Sequence, residues 1–147
     1  LKYKNKPELA EYLGKMYAND LKEMNLHEKI DLLIGIPLHK DRQKFRGYNQ
    51  SDMFAKGLSE VLDIPYSTTC LKRNTFTISQ TKTGSRFKRH ENIKGVFEIE
   101  NPEEIIGKRI AIVDDVLTTG STIEIAGYLL LGNGCKELYI ITIASAY

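Results

Sequence analysis

Three continuous apolar runs, separated by segments of helical periodicity, constrain the fold of this chain more than any other feature. The runs are "IDLLIGIP", "KRIAIVDD" and "ELYIITIASA". The first predicts a strand from Ile30 to Ile36, which is too short for a helix and is stopped by Pro37. Continuous apolar residues are typical of strands that are buried on both faces. The sequence therefore predicts an α/β fold, with a mostly parallel, twisted sheet and helices on both of its faces.

Apolar residues at intervals of three and four predict three helices, one before the first of these strands and one before each of the other two. The first predicted helix extends from Leu9 to Met24, with Pro7 in its first turn. The second extends from Met53 to Leu62, with Asn49 or Ser51 as its N-cap. The third has Ser121 as its N-cap and ends at Gly132 or Gly134. Residues 66–72 and the segment "GVFEIE" predict two further strands, the second of which suits a hairpin. Residues 74–94 lack apolar periodicity and predict a long loop, which in a compact domain is usually functional or mobile.

Composition limits the class of protein. A chain of 147 residues with 41% hydrophobic and 27% charged residues predicts a single soluble globular domain. Its net charge of +2 argues against binding nucleic acid over the whole surface. Cys70 and Cys135 form no CxxC pair, so neither a zinc site nor a disulfide framework is expected, and a reducing, cytoplasmic location is favoured. No apolar run approaches the roughly 18 residues of a membrane span, so no membrane span is expected.

The segment "IAIVDDVLTTGST", residues 110–122, places two adjacent acids and a hydroxyl-rich turn after the strongest predicted strand. Ligands of open α/β sheets lie beyond the carboxyl ends of the strands. At such an end, Asp114 and Asp115 can accept hydrogen bonds from two neighbouring sugar hydroxyls and favour Mg²⁺. The backbone N–H groups of residues 118–122 and the start of the next helix suit a phosphate, with Gly120 allowing close approach. A diol and a phosphate at this spacing describe a ribose 5-phosphate.

Two other interpretations of this segment are less favoured. The first is a buried strand that ends in a capped polar turn. Such a turn explains each acid and each hydroxyl residue taken alone, but it does not explain why the acid pair, the threonines, the glycine and the serine follow one another in this order. The acidic strand end also matches the Walker B strand of an ATPase. That function requires a GxxxxGK[ST] loop, and the sequence contains none.

The same segment resembles the signature of type I phosphoribosyltransferases, which bind phosphoribosyl pyrophosphate. The resemblance implies that Asp114 and Asp115 hold the ribose hydroxyls and bind Mg²⁺, directly or through those hydroxyls or water. The implied substrate-binding residues beside them are Val116, Leu117, Thr118, Thr119, Gly120, Ser121 and Thr122. The resemblance also implies two loops. A first loop faces the pyrophosphate and includes Leu38, His39, Arg42, Arg46 and Gly47. A second loop, residues 74–92, closes over the site and includes Lys82 and Arg86.

The resemblance also implies a reaction and a place for the second substrate. A nitrogen acceptor displaces pyrophosphate from the anomeric carbon of the ribose, and the acceptor pocket is built by a small hood. Here the hood is expected from the N-terminal helix together with the segment from Val96 to Glu104. Nothing in the sequence identifies the acceptor.

Two longer segments resemble the ComF family, which is linked to DNA uptake in competent bacteria. They are "IPLHKDRQKFRGYNQSDMFAKGL" and "LKRNTFTISQTKTGSRFKRHENIKGVFEI". Members of that family commonly carry an N-terminal zinc module with four cysteines, which is not expected within these residues because they contain two cysteines. The resemblance leaves a second hypothesis beside the enzyme: a competence accessory protein that uses the fold as a module for binding a ligand or single-stranded DNA.

Basic residues are concentrated in the two predicted loops. Four of them in the first loop are opposed only by Asp41, and residues 64–90 contain no acid. Such charge usually belongs to solvated loops. Two basic loops around one pocket would instead hold a pyrophosphate, for which the guanidinium groups of Arg42 and Arg46 are well shaped. His39 is a candidate general base or pyrophosphate contact. Single-stranded DNA, the competence machinery and a second copy of the chain, in a homodimer, stay open as partners.

Overall fold

The strands predicted from the three apolar runs are each preceded along the chain by a helix, with three short strands between the second helix and the second of these runs. The computed structural model describes residues 7–37, 48–73, 96–117 and 121–145. In chain order the elements are α1 (Pro7–Glu23), β1 (Leu32–Gly35), α2 (Gln50–Leu62), β2 (Tyr66–Ser67), β3 (Leu71–Arg73), β4 (Phe97–Ile99), β5 (Arg109–Leu117), α3 (Ser121–Gly132) and β6 (Glu137–Ser145). Short 3₁₀ turns lie at Leu26–Glu28 and Pro102–Glu104. The three predicted helices are confirmed, and α2 begins at Gln50 because Asn49 is its N-cap.

Within the described ranges, four strands form a parallel sheet in the order β2-β1-β5-β6. The register places Leu32 beside Ile110 and Gly35 beside Val113, so β1 and β5 run side by side toward the same edge. The pairing of β5 with β6 extends from Arg109 to Leu117. The prediction of a mostly parallel sheet is therefore confirmed, with β1 and β5 at its centre.

The two faces of this sheet carry separate hydrophobic clusters, because neighbouring side chains on a strand point to opposite faces. Leu33, Ala111 and Val113 pack with Phe54 and Leu58 of α2 on one face. On the other face, the remaining strand residues pack with α3 and with β3 and β4; these strand residues are Leu32, Ile34, Ile110 and Ile112. Fully burying one such side chain contributes about 1.5–3 kcal/mol. Helices cover both faces, as predicted.

Helices α1 and α2 approach each other through two glycines. A Cβ built on Gly57 would overlap the carbonyl oxygen of Glu11, and one built on Gly14 would overlap that of Phe54. The aromatic rings of Tyr17 and Phe54 meet edge to face beside this contact, with centroids 5.7 Å apart. The helix pair therefore packs backbone against backbone, which only glycine at these two positions allows.

The segment 66–72, predicted as one strand, is two strands in different sheets. Tyr66 and Ser67 extend the parallel sheet, whereas Leu71–Arg73 pairs antiparallel with β4. The prediction was wrong because the side chain of Ser67 turns the chain. Its hydroxyl oxygen accepts hydrogen bonds from the backbone N–H groups of Thr69, at 3.4 Å, and Cys70, at 3.1 Å.

The small sheet of β3 and β4 confirms the predicted strand in "GVFEIE", with Arg73 opposite Phe97. It packs into the cluster on the α3 face, whereas Ala18 of α1 belongs to the cluster on the α2 face. The N-terminal helix and residues 96–104 therefore lie on opposite faces of the parallel sheet, and their joint contribution to a hood stays a prediction. The predicted loop at 74–94 lies outside the described residues.

Two expectations from composition can also be compared with the structure. Cys70 and Cys135 are both buried and free, which agrees with the absence of a disulfide framework. Over the ranges that the structure describes, none of the helices combines the length and the apolar character needed to cross a bilayer.

Candidate functional site at the carboxyl edge of the sheet

The strands β1 and β5 end side by side at the carboxyl edge of the parallel sheet. The backbone N–H of Ile36 donates to the carbonyl of Val113 at 2.9 Å, immediately after the last register pair of these strands. The segment that follows Pro37 and the segment that follows Val113 therefore start from neighbouring points. These are the two segments in which the sequence predicts the substrate site.

The acid pair lies inside β5 rather than after it. The strand was predicted to end at Asp115, but it continues to Leu117 because pairing with β6 continues through Leu117. Asp114 is half-buried and lies beside Thr142 of β6. Its backbone is therefore held by pairing with β6, and the preceding residue, Val113, is bonded to the end of β1, which together give the Asp114 carboxylate a rigid support.

The first turn of α2 brings buried polar residues to the same edge. Asn49, Gln50 and Ser51 are only 5%, 6% and 4% exposed. The side-chain oxygen of Asn49 accepts from the backbone N–H of Ser51 at 2.9 Å, so Asn49 is the N-cap of the two predicted candidates. The Ser51 hydroxyl donates to Asp114 Oδ1 at 3.3 Å. Sequence reasoning found the cap but not the contact with Asp114, since it joins residues 63 positions apart.

Asp52 is a further acid at this edge that sequence reasoning missed. Burial raises the pKa of Asp52 to about 7, although a hydrogen bond from Asn49 acts in the opposite direction. A Cβ built on Gly35 would lie 2.6 Å from Asp52 Oδ1, so the start of α2 packs directly on the end of β1. The glycine inside the apolar run "LLIGIP" was the available signal, because glycine within a strand often marks close approach of another backbone.

Arg73 brings a cation to the start of the first predicted loop. Its Nη1 donates to the carbonyl of Pro37 at 3.4 Å, and its guanidinium carbon lies 5.4 Å from the centroid of the Phe97 ring. The small sheet is thereby connected to the end of β1. Sequence reasoning assigned no position or role to Arg73.

Most of the predicted site residues lie outside the described residues. These are Leu38, His39, Arg42, Arg46, Gly47, Lys82, Arg86, Thr118, Thr119 and Gly120. Asp115, Val116 and Leu117 are described as backbone of β5. Helix α3 begins at Ser121, the predicted N-cap, and ends at Gly132, one of its two predicted ends; Thr122 is half-buried in its first turn.

The donor set at the edge has the character that Mg²⁺ prefers. Carboxylate oxygens are hard ligands, and Mg²⁺ usually binds through one or two of them while substrate phosphates and water complete its shell. The Asp114 carboxylate is a ligand of this kind at the carboxyl edge, and Asp115 follows it in the backbone of β5. Among the described residues, no group of three or more histidine, cysteine or acidic side chains is placed to hold a metal without a substrate.

Comparison with known proteins agrees with this geometry. Residues 49–146 match the model of the phosphoribosyl transferase domain family. The chain is 36% identical over 136 residues to competence protein F of Haemophilus influenzae, and 30% identical over 143 residues to the DNA utilization protein YhgH of Escherichia coli K12. These alignments cover 92% and 95% of this chain, but 58% and 62% of the relatives. The chain therefore spans less than two thirds of these relatives.

Solved structures share the fold at low identity. The allosteric regulatory enzyme of purine biosynthesis matches with a TM-score of 0.65 and 23% identity, over 91% of this chain and 25% of that one. A purine phosphoribosyltransferase from Pyrococcus horikoshii matches with a TM-score of 0.52 and 23% identity, over 94% and 71%. The resemblance to a type I phosphoribosyltransferase of the ComF kind is confirmed by these matches together with the competence proteins. The chain belongs to the phosphoribosyl transferase domain family.

Proposed function

We propose that this chain binds phosphoribosyl pyrophosphate together with Mg²⁺ and transfers its ribose 5-phosphate to a nitrogen acceptor, with release of pyrophosphate. The observation that carries the proposal is the position of Asp114. It lies in the last part of β5, next to the end of β1 and a few residues before the start of α3. Crevices beyond the carboxyl ends of parallel strands are where open α/β sheets bind ligands.

Each part of the substrate is assigned to residues of this edge. The carboxylates of Asp114 and Asp115 accept hydrogen bonds from the two ribose hydroxyls. The segment from Thr118 to Thr122 and the first turn of α3 bind the 5-phosphate, because helix N-termini offer N–H groups and positive partial charge. The first loop, through His39, Arg42 and Arg46, contacts the pyrophosphate, and Lys82 and Arg86 approach from the second loop.

The proposed reaction exchanges one bond at the anomeric carbon. The lone pair of the acceptor nitrogen forms the new bond, the bond from carbon to the pyrophosphate oxygen breaks, and its electron pair leaves with pyrophosphate. The nitrogen then releases a proton. When bound, Mg²⁺ neutralises charge on the pyrophosphate. The protein's own residues orient the ribose and stabilise the leaving group, and they need no covalent nucleophile.

Calorimetric titration with phosphoribosyl pyrophosphate, with and without Mg²⁺, tests the proposal. We expect binding that tightens with Mg²⁺, and weaker binding of ribose 5-phosphate and of pyrophosphate when each is titrated alone, since each occupies half of the site. A pyrophosphate-release assay over purine, pyrimidine and amine acceptors then identifies the second substrate. Absence of binding under both metal conditions would contradict the proposal.

A second candidate function is the binding of single-stranded DNA. The names of the relatives favour it, since they include a competence protein and DNA utilization proteins. The basic loops would then contact the nucleic-acid backbone rather than pyrophosphate. Affinity for single-stranded DNA would fall with salt, with a logarithmic slope of about −0.7 per phosphate neutralised.

Charge reversal in the second loop separates the two candidates. If DNA is the ligand, Lys88→Glu together with Arg89→Glu abolishes DNA binding and leaves affinity for phosphoribosyl pyrophosphate nearly intact.

Limited trypsin digestion of residues 74–94 gives an independent comparison. We expect protection by phosphoribosyl pyrophosphate with Mg²⁺. Protection by DNA alone would favour the second candidate.

A further inference from the structure

We infer that Ser51 is a positioning residue for Asp114, held in place by a ring of hydrogen bonds that ties the start of α2 to the ends of β1 and β5. We call this ring the brace; it consists of Val113, Ile36, Asn49, Ser51 and Asp114. The inference rests on the proposed function, because it concerns the carboxylate to which the ribose hydroxyls are assigned.

The brace can be followed bond by bond from β5 and back to it. The carbonyl of Val113 accepts from the N–H of Ile36 at 2.9 Å. The carbonyl of Ile36 accepts from Asn49 Nδ2 at 3.0 Å, and Asn49 Oδ1 accepts from the N–H of Ser51 at 2.9 Å. The Ser51 hydroxyl donates to Asp114 Oδ1 at 3.3 Å. Since Asp114 follows Val113 in the chain, the ring is closed.

Burial makes the brace rigid. Ile36, Asn49 and Ser51 are each at most 5% exposed, so water does not compete freely for these polar groups. Both polar ends of the Asn49 amide are used, one by the strand end and one by the helix cap. A side chain fixed in this way has few alternative rotamers, which determines where the Ser51 hydroxyl lies.

A donor fixed on one carboxylate oxygen restrains rotation of the carboxylate. Oδ1 of Asp114 is held toward α2, and the orientation of Oδ2 is then set by the same bond. Two sugar hydroxyls are recognised only if the acceptor oxygens keep a defined orientation, because hydrogen bonds weaken steeply with angle. Preorganisation of this kind reduces the entropy that a ligand must lose on binding.

The test compares two serines of the same helix. Ser51→Ala removes the hydroxyl that contacts Asp114, and Ser59→Ala removes a hydroxyl at the other end of α2 that donates to the carbonyl of Ile64. With Mg²⁺ present, we expect Ser51→Ala to weaken binding of phosphoribosyl pyrophosphate about three- to tenfold, while Ser59→Ala leaves it unchanged. Asn49→Ser, which keeps an N-cap but shortens the side chain toward Ile36, is expected to weaken binding as well.

A spectroscopic readout separates positioning from a general effect on the fold. The ¹³C resonance of the Asp114 carboxyl is expected to shift in Ser51→Ala and to stay constant in Ser59→Ala, and thermal unfolding of each variant is measured beside it. If Ser51→Ala binds as the wild type does, the inference is overturned and the proposed function stands. Weaker binding with an unchanged Asp114 resonance also overturns it. If the wild type itself binds no phosphoribosyl pyrophosphate, the proposed function fails, and the positioning role fails with it.

Discussion

An acid at each edge of the parallel sheet has a shifted pKa, and the two shifts have opposite directions. At the amino edge, Asp31 precedes β1, and its carboxylate accepts three hydrogen bonds from Arg109 of β5, at 2.8, 3.0 and 2.9 Å. Hydrogen bonds from Arg109 lower the pKa of Asp31 to about 2. At the carboxyl edge, burial raises the pKa of Asp52 to about 7. The amino edge thus stabilises the charged carboxylate of Asp31, whereas burial at the carboxyl edge disfavours the charged carboxylate of Asp52.

This difference agrees with the proposal that the carboxyl edge holds the ligand site. The Asp31–Arg109 pair joins the beginnings of β1 and β5, so the Arg109 guanidinium binds another residue of this chain. At the carboxyl edge, Asp114 accepts a hydrogen bond from the neutral hydroxyl of Ser51. Groups with perturbed pKa values that cluster in a cleft are candidates for function, and their arrangement often costs stability.

The sharpest test of the comparison is to remove the acids at the carboxyl edge. Asp114→Asn together with Asp115→Asn is expected to weaken binding of phosphoribosyl pyrophosphate by about 2–4 kcal/mol, which is about 30- to 1,000-fold in Kd. The cause is the loss of charge-assisted hydrogen bonds to two hydroxyls. Thermal stability should stay constant or rise, since two like charges are removed. Calorimetry and thermal unfolding measure the two effects.

A matched control carries the same change of charge elsewhere. Asp20 is exposed on α1, and Asp63 is exposed at the end of α2 with a positive φ of 57°, which asparagine tolerates. Asp20→Asn together with Asp63→Asn should leave the affinity unchanged. Equal affinity of the two double variants would refute the assignment of the ribose to Asp114 and Asp115.

The second test uses the pH dependence at Asp52. Because its pKa rises from 3.8 in the unfolded chain to about 7, its contribution to stability is complete below about pH 4 and is lost as the pH rises through about 7. Asp52→Asn removes this loss, so the variant should gain about 2–3 kcal/mol over the wild type at about pH 8 and little at about pH 4. Urea unfolding at both pH values measures it. A gain of equal size at both would contradict burial as the cause.

The third test concerns the close packing of α2 on β1. Gly35→Ala is expected to cost about 1–3 kcal/mol of stability, because the added Cβ would lie 2.6 Å from Asp52 Oδ1 and 3.0 Å from the Asp52 nitrogen. Gly132→Ala is the control, since nothing lies within 4 Å of its added Cβ. Chemical unfolding should give a lower free energy of unfolding for Gly35→Ala than for Gly132→Ala. Equal values would mean that α2 can move away from β1 without a loss of stability.

The smallest effect is expected at the amino edge. Asp31→Asn should cost about 1 kcal/mol near neutral pH, a value that allows for screening of a side chain that is one-third exposed. Since the folded pKa is lowered from 3.8 to about 2, the contribution is complete above about pH 4 and is lost as the pH falls through about 2. Urea midpoints of variant and wild type should therefore converge toward about pH 2. Binding of phosphoribosyl pyrophosphate should not change.

The central fold was predictable because local pattern and tertiary structure agree there. The apolar runs that became β1 and β5 are buried by helices, and the periodicity that predicted α2 and α3 faces the sheet. The run that became β6 forms an edge strand, in which Ile141 is buried and Ile140 is 51% exposed. Two boundaries were not predictable. The strand 66–72 is broken by the Ser67 hydroxyl, and β5 passes Asp115 because β6 offers partners as far as Ser145. Both depend on contacts that periodicity does not contain.

The candidate site likewise has a part that could be predicted from the sequence and a part that could not. The acid pair was recognisable because its residues are adjacent in the sequence and form a motif. The brace and Asp52 were not, since they depend on α2 meeting the ends of β1 and β5 in space. Asn49 illustrates the limit. Its capping role is local and was predicted, whereas its bond to the carbonyl of Ile36 spans 13 positions.

The contact between Arg73 and Pro37 has a consequence for how quickly an anion finds this edge. Pro37 is the last described residue before the first basic segment, and Arg73 the last before the second. The two basic segments thus start from one point of the structure, and Arg73 places a positive charge there. A positive charge steers anions and raises association rates, with an effect that weakens as ionic strength increases. Capture of an anionic ligand should accordingly slow with added salt.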